Sequence, residues 1–154
     1  MNAISSPLNS AQLERPAPSR YLRWGLIGRL AWWCKQPPKW QAYFQSLKRQ
    51  VNERGPLPED VWQTPLRRKI ANDIETILSD VCWGERLSFH PDDPWLVIGE
   101  CEVGDLSELE AIMKIEKKFG VELNTKDIFK RIAVGLTFSE LVAIIEERGT
   151  QLTM

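Results

Sequence analysis

One histidine, three cysteines and a pair of adjacent aspartates are the residues of this chain best suited to chemistry, and their spacing permits little of it. His90 is the only histidine, so a His-rich metal centre or a catalytic histidine pair is excluded. Cys-His nucleophilic catalysis would need a contact that the sequence does not specify. Cys34, Cys82 and Cys101 are odd in number and lack Cys-x-x-Cys spacing, which indicates neither a disulfide framework nor a zinc site. Asp92-Asp93 precedes Pro94, a combination that predicts a solvated turn. No Gly-x-x-x-x-Gly-Lys-Ser/Thr loop is present to cradle a phosphate. A non-catalytic chain without a bound metal is the expectation.

The elements that would position any site are helical. With 154 residues, 43% hydrophobic and 27% charged, the chain suits a soluble globular protein, either one ordinary domain or a small domain with an extension. Charge divides it. Residues 1–69 hold 12 Lys or Arg against 4 Asp or Glu, whereas residues 70–154 hold 8 against 17. Such asymmetry fits a basic half folded onto an acidic half, or a basic segment free for an acidic partner or membrane surface. Residues 1–19 are rich in Ser, Pro and Asn and lack the basic start and continuous apolar run of a secretion signal. They read as a disordered tail, and a reducing cytoplasm is the expected location.

Leu22, Leu26, Leu30 and Trp33 recur at helical spacing, with Arg20, Arg23, Arg29 and Lys35 available for a polar side. Pro37-Pro38 breaks that helix, and Trp40, Tyr43, Phe44, Leu47 and Val51 predict a second one that stops near Gly55. Residues 20–55 would form a basic, Trp-rich helical hairpin. Trp24, Trp32 and Trp33 with Arg23 and Arg29 suit a membrane interface, but aromatic stripes at helical spacing more often cover another helix, so intramolecular docking is the preferred reading. The basic half carries no nucleic-acid-binding motif, and nucleic acid is not an expected partner.

Three prolines mark residues 56–65 as a linker. Leu66, Ile70, Ile74, Ile77, Leu78 and Val81 then predict a helix with Asp73, Glu75 and Asp80 on its other faces and a stop at Trp83-Gly84. Residues 85–103 form a long loop with an apolar insert, Trp95 to Ile98, that should be pinned to the core. Asp105 opens the next helix as its cap, with Glu108 three residues on. Leu106, Leu109, Ile112, Met113 and Phe119 line one side of this helix, and Gly120 ends it. A short helix follows over Lys126 to Ile132, capped by Asn124-Thr125. The last helix starts from the capping box Thr137-Phe138-Ser139-Glu140 and runs to Gly149. No strand is needed.

Helix, long loop, helix, short helix, helix over residues 66–149, with EAIMKIEKKFGVEL in the second, resembles the acyl carrier protein family. The resemblance implies an all-α chain: a four-helix carrier-like bundle preceded by the N-terminal hairpin. In that family an Asp-Ser-Leu motif begins the second helix and its serine carries 4'-phosphopantetheine. Counting back from Phe119 places Asp105 at the serine position, followed by Leu106. An aspartate has no hydroxyl to take the phosphodiester, so no cofactor is expected at Asp105. Ser107 lies two residues further on, about 200° around a helix, and would serve only with a shifted helix start. The expectation is an interaction module that has lost the prosthetic arm and meets a protein partner through Glu108, Glu110, Leu109, Ile112 and Met113, its acidic face diluted by Lys114, Lys117 and Lys118. Two alternatives stay open: an acyl or peptidyl carrier modified at Ser107, and a peripheral membrane adaptor acting through residues 20–50.

Overall fold

In the computed structural model, which describes residues 6–8, 38–99 and 107–151, every regular element is a helix. α1 spans Pro38–Glu53, α2 Pro65–Leu78, α3 Trp95–Ile98, α4 Ser107–Phe119, α5 Thr125–Ala133 and α6 Phe138–Gln151. α2 runs on into a π-helical turn, Ser79–Trp83. The all-α expectation holds among these residues. The helix expected over residues 21–33, with Trp24, Trp32, Trp33, Arg23 and Arg29, lies outside them.

α1 forms where the apolar spacing demands it. Trp40, Tyr43, Phe44, Leu47 and Val51 fall on one stripe, and all five are buried. Phe44 meets Trp83 edge-on, with centroids 5.7 Å apart. These residues join the same buried cluster as α2, α4 and α6, so α1 is part of the common core. The supposed linker is likewise packed: Trp62 is buried and stands edge-on to Phe138 at 5.0 Å.

The side chain of Thr64 caps α2 by accepting the Arg67 N–H at 3.2 Å, and Pro65 occupies the first turn, where its missing N–H leaves nothing unsatisfied. Ile70, Ala71, Ile74 and Leu78 face inward, while Leu66, expected on the same stripe, remains 48% exposed. The wide turn that follows buries Val81, Cys82 and Trp83 in succession, which a regular helix would spread around its axis. Its closing bond runs from the Gly84 N–H to the Ser79 carbonyl at 2.9 Å, and Gly84 takes φ 66°, a conformation a side chain would resist. Cys82 is disulfide-bonded, whereas the number and spacing of the cysteines indicated no disulfide framework.

α2 packs against α6 and α4, the π turn against α4, and α3 against α5. The cap of α6 is reciprocal: Glu140 Oε2 accepts the Thr137 N–H at 2.7 Å, and Thr137 Oγ1 accepts the Glu140 N–H at 3.3 Å. α6 continues through Gly149, the expected stop, to Gln151.

The segment before α3 is where sequence and structure part most clearly. Asp92 is exposed, as a solvated turn requires, but Asp93 has no exposed surface. Its carboxylate accepts four hydrogen bonds: from Arg54 Nη1 at 3.1 Å and Nη2 at 2.7 Å, from the Leu8 N–H at 2.8 Å and from the His90 N–H at 2.7 Å. The Asp93 carbonyl accepts the Phe138 N–H at 2.9 Å. Arg54 also donates to the Ser88 carbonyl at 2.8 Å. Residues 6–8, read from sequence as tail, are therefore fastened to the body, with the Leu8 side chain buried.

Replacing Asp93 with Ala would leave the Arg54 guanidinium buried without its counter-ion, a loss of about 3–5 kcal/mol. Chemical denaturation of Asp93→Ala should show that loss. A chain starting at residue 56 also lacks the apolar stripe of α1, and it should give no cooperative unfolding transition.

Candidate interaction surface

α4 divides its side chains sharply. Ala111, Ile112 and Ile115 are buried, whereas Leu109 is 41% and Met113 60% exposed. Leu109 and Met113 are four residues apart and so share one outward row. Glu110 is exposed beside them and bonds Lys114 at 3.1 Å. Ile112, expected at a partner contact, belongs to the core instead. Glu108 falls in line with Ile112 and Ile115, at i, i+4 and i+7, and is half-buried with interactions of its own. The outward row thus holds Leu109, Glu110 and Met113 from the expected set.

Charges at the far end of α4 serve the fold. Glu116 Oε1 accepts the Leu123 N–H at 2.7 Å and so closes the turn after the helix. Lys118 lies 3.9 Å from Asp73 of α2. Ser107 is the first described residue of α4, and Asp105 lies outside the described residues.

Recesses among the described residues open elsewhere. A cleft of about 370 Å³ is bounded by Trp62, Arg67, His90, Ser139 and Glu140. Its chemistry is already committed: His90 Nδ1 accepts the Asp92 N–H at 3.2 Å, Arg67 Nε bonds Glu146 at 2.7 Å, and the Ser139 hydroxyl is 3.2 Å from that of Thr137. A nucleophile-base pair is not assembled there. A groove of about 460 Å³ between α2, α4 and α6 has Ile70, Phe119 and Ile145 among its lining and Lys69, Asp73, Lys118 and Glu146 as charged residues of both signs. No group of His, Cys, Asp and Glu among the described residues could hold a metal ion.

No family profile, no curated protein and no solved structure matches this chain.

A displaced pKa often marks a working group, and Glu75 has one: burial pushes its carboxyl from the ordinary 4.5 up to about 7, opposed by the hydrogen bond it accepts from the Phe89 N–H at 2.8 Å and by the positive charges of Arg86 and Arg54. It lies on the buried side of α2, not on the solvent face that its polarity suggests, because it stands one helical turn from Ala71 and shares that inward stripe. Glu75 lines neither recess, and its carboxylate holds the Phe89 amide of the loop before α3. A raised pKa means that the stability linked to Glu75 is fully present below pH 4.5 and is lost as pH rises through 7. The corresponding free energy is on the order of 3 kcal/mol. Glu75→Gln keeps an acceptor for the Phe89 amide and carries no charge. It should flatten the dependence of stability on pH between 5 and 8 and make the variant the more stable form at pH 8, read from urea unfolding at both pH values.

Proposed function

We propose that this chain is a non-catalytic module that binds a protein partner through the outward row of α4, on a fold of the acyl carrier type that lacks the phosphopantetheine arm. The observation that carries this reading is the exposure of Leu109 and Met113 on a helix whose other apolar positions, Ala111, Ile112 and Ile115, are closed into the core and whose Phe119 is partly buried against it. Exposed apolar side chains next to charged ones are what a binding surface offers before a partner covers them. The succession of α2, a long connection containing α3, then α4, the short α5 and α6 supports the carrier likeness. α1 and residues 6–8 add to that pattern a layer that packs into its core.

The second reading, a carrier modified at Ser107, draws on the place of Ser107 in the first described turn of α4, the helix at whose start the carrier family holds its serine. The membrane-adaptor reading rests on Trp24, Trp32 and Trp33, outside the described residues. No helix among those described is long and apolar enough to cross a membrane. The expected cytoplasmic location stands beside a disulfide-bonded Cys82, a bond favoured in oxidising compartments.

Incubation with coenzyme A and a broad-specificity phosphopantetheinyl transferase separates the two leading readings. The intact mass should stay unchanged. A gain of one phosphopantetheine that disappears in Ser107→Ala would replace the interaction module by a carrier.

A further inference from the structure

α5 is a nine-residue helix, TKDIFKRIA, and its inward side carries Ile128 and Ile132, both buried. With 100° between successive residues, the row pointing away from that side is Lys126, Lys130 and Val134. Phe129 and Ala133 flank it on one edge and Asp127 and Arg131 on the other. Val134, at the C-terminal cap, is 87% exposed and Phe129 43% exposed. Lys126, Lys130 and Arg131 are exposed and make no ion pair among the described residues.

Helix stability accounts for only part of this layout. Lys130 and Arg131 in the last turn complement the negative end of the helix dipole, but Lys126 in the first turn sits against its positive end, where a cation is unfavourable by a few tenths of a kcal/mol. Asn124 already caps that end, accepting from the Lys126 and Asp127 amides at 3.1 and 3.4 Å. Nor does burial account for Phe129 and Val134. The half of the chain from residue 70 onward is acidic overall, so an unpaired basic row at this place is a local reversal of sign.

We infer that the outer side of α5 is a second docking surface, which takes an acidic amphipathic helix of a partner protein: its carboxylates on the Lys126–Lys130 row, its apolar stripe on Phe129, Ala133 and Val134. An acidic helix fits better than an anionic membrane. The cations form the apex of the helix while Phe129 lies at the edge, and three cations with one aromatic ring give only weak attraction to a bilayer. This surface and the α4 row belong to different helices, and neither reading depends on the other.

The test uses the full chain, isotopically labelled, titrated with a synthetic helical peptide that has leucines at i, i+3, i+4 and i+7 and glutamates elsewhere. A peptide of the same pattern with lysines is the control. The glutamate peptide should shift the amide resonances of residues 125–134 and leave those of residues 109–113 in place, and the lysine peptide should shift neither set. Lys126→Glu with Lys130→Glu should weaken binding about tenfold or more. Phe129→Ala should weaken it independently of salt. Because Lys126→Glu places a negative charge at a helix N-terminus, it favours the helix, and lost binding in that single variant cannot be assigned to unfolding. The inference is overturned by absent shifts in α5, by binding that survives charge reversal, or by vesicles of phosphatidylglycerol shifting the same amides when the glutamate peptide does not. Shifts confined to residues 109–113 would likewise overturn it while leaving the α4 reading standing.

Discussion

Four hydrogen bonds converge on the Asp93 carboxylate from three parts of the chain: the Leu8 amide, the Arg54 guanidinium just beyond α1, and the His90 amide of the loop before α3. The backbone of Asp93 reaches a fourth part, the start of α6. A buried ion pair adds little net stability compared with apolar side chains of equal volume, because desolvation offsets most of the attraction. What it does enforce is arrangement. A guanidinium and a carboxylate cannot remain buried unless they meet, so the end of α1, the loop and the chain start are held in one relation to α6. One donor of the group, Arg54 Nε, is buried without a partner among the described residues, a local cost the bidentate contact has to outweigh.

Around that clamp the core is aromatic and unusually dependent on shape. Trp83, Phe89, Phe138 and Trp95 form a chain of successive ring contacts, and Phe44 and Trp62 join it from α1 and the 56–65 segment. The π turn after α2 directs Trp83 into this group, where its indole N–H donates to the Ile98 carbonyl at 3.0 Å. Gly99 is required by the same crowding, since a Cβ there would lie 2.9 Å from the Trp95 ring. α3, only four residues long, is therefore held by its surroundings and not by its own helical bonds.

With the inside so specified, two helices leave apolar side chains outside the core. α4 presents an apolar pair beside a self-paired Glu110–Lys114, and α5 presents unpaired cations beside Phe129 and Val134. The acid-rich half of the chain thus carries one apolar row whose charges pair with each other and one basic row, a local difference that net charge conceals.

Sequence by itself determined the helices wherever local physics suffices. The stripe Trp40–Val51, the Thr137–Glu140 capping box and the Asn124 cap are signals read within one or two turns, and each produced its element. The succession of helix, long connection, helix, short helix and helix from residue 65 onward was legible for the same reason. Tertiary structure decided whatever depends on partners distant in the chain. Asp93 beside Asp92 carries every mark of a solvated turn, and only Arg54, 39 residues away, and Leu8, 85 residues away, make it a buried hub. Glu75 carries a charge that favours solvent, and only the orphan Phe89 amide makes it an inward acceptor. On α4 the sequence marked Ile112 and Met113 alike as apolar; which one is core and which is surface was settled by where α2 and the π turn pack, because a helical pattern fixes spacing around the axis but not the direction from which neighbours arrive.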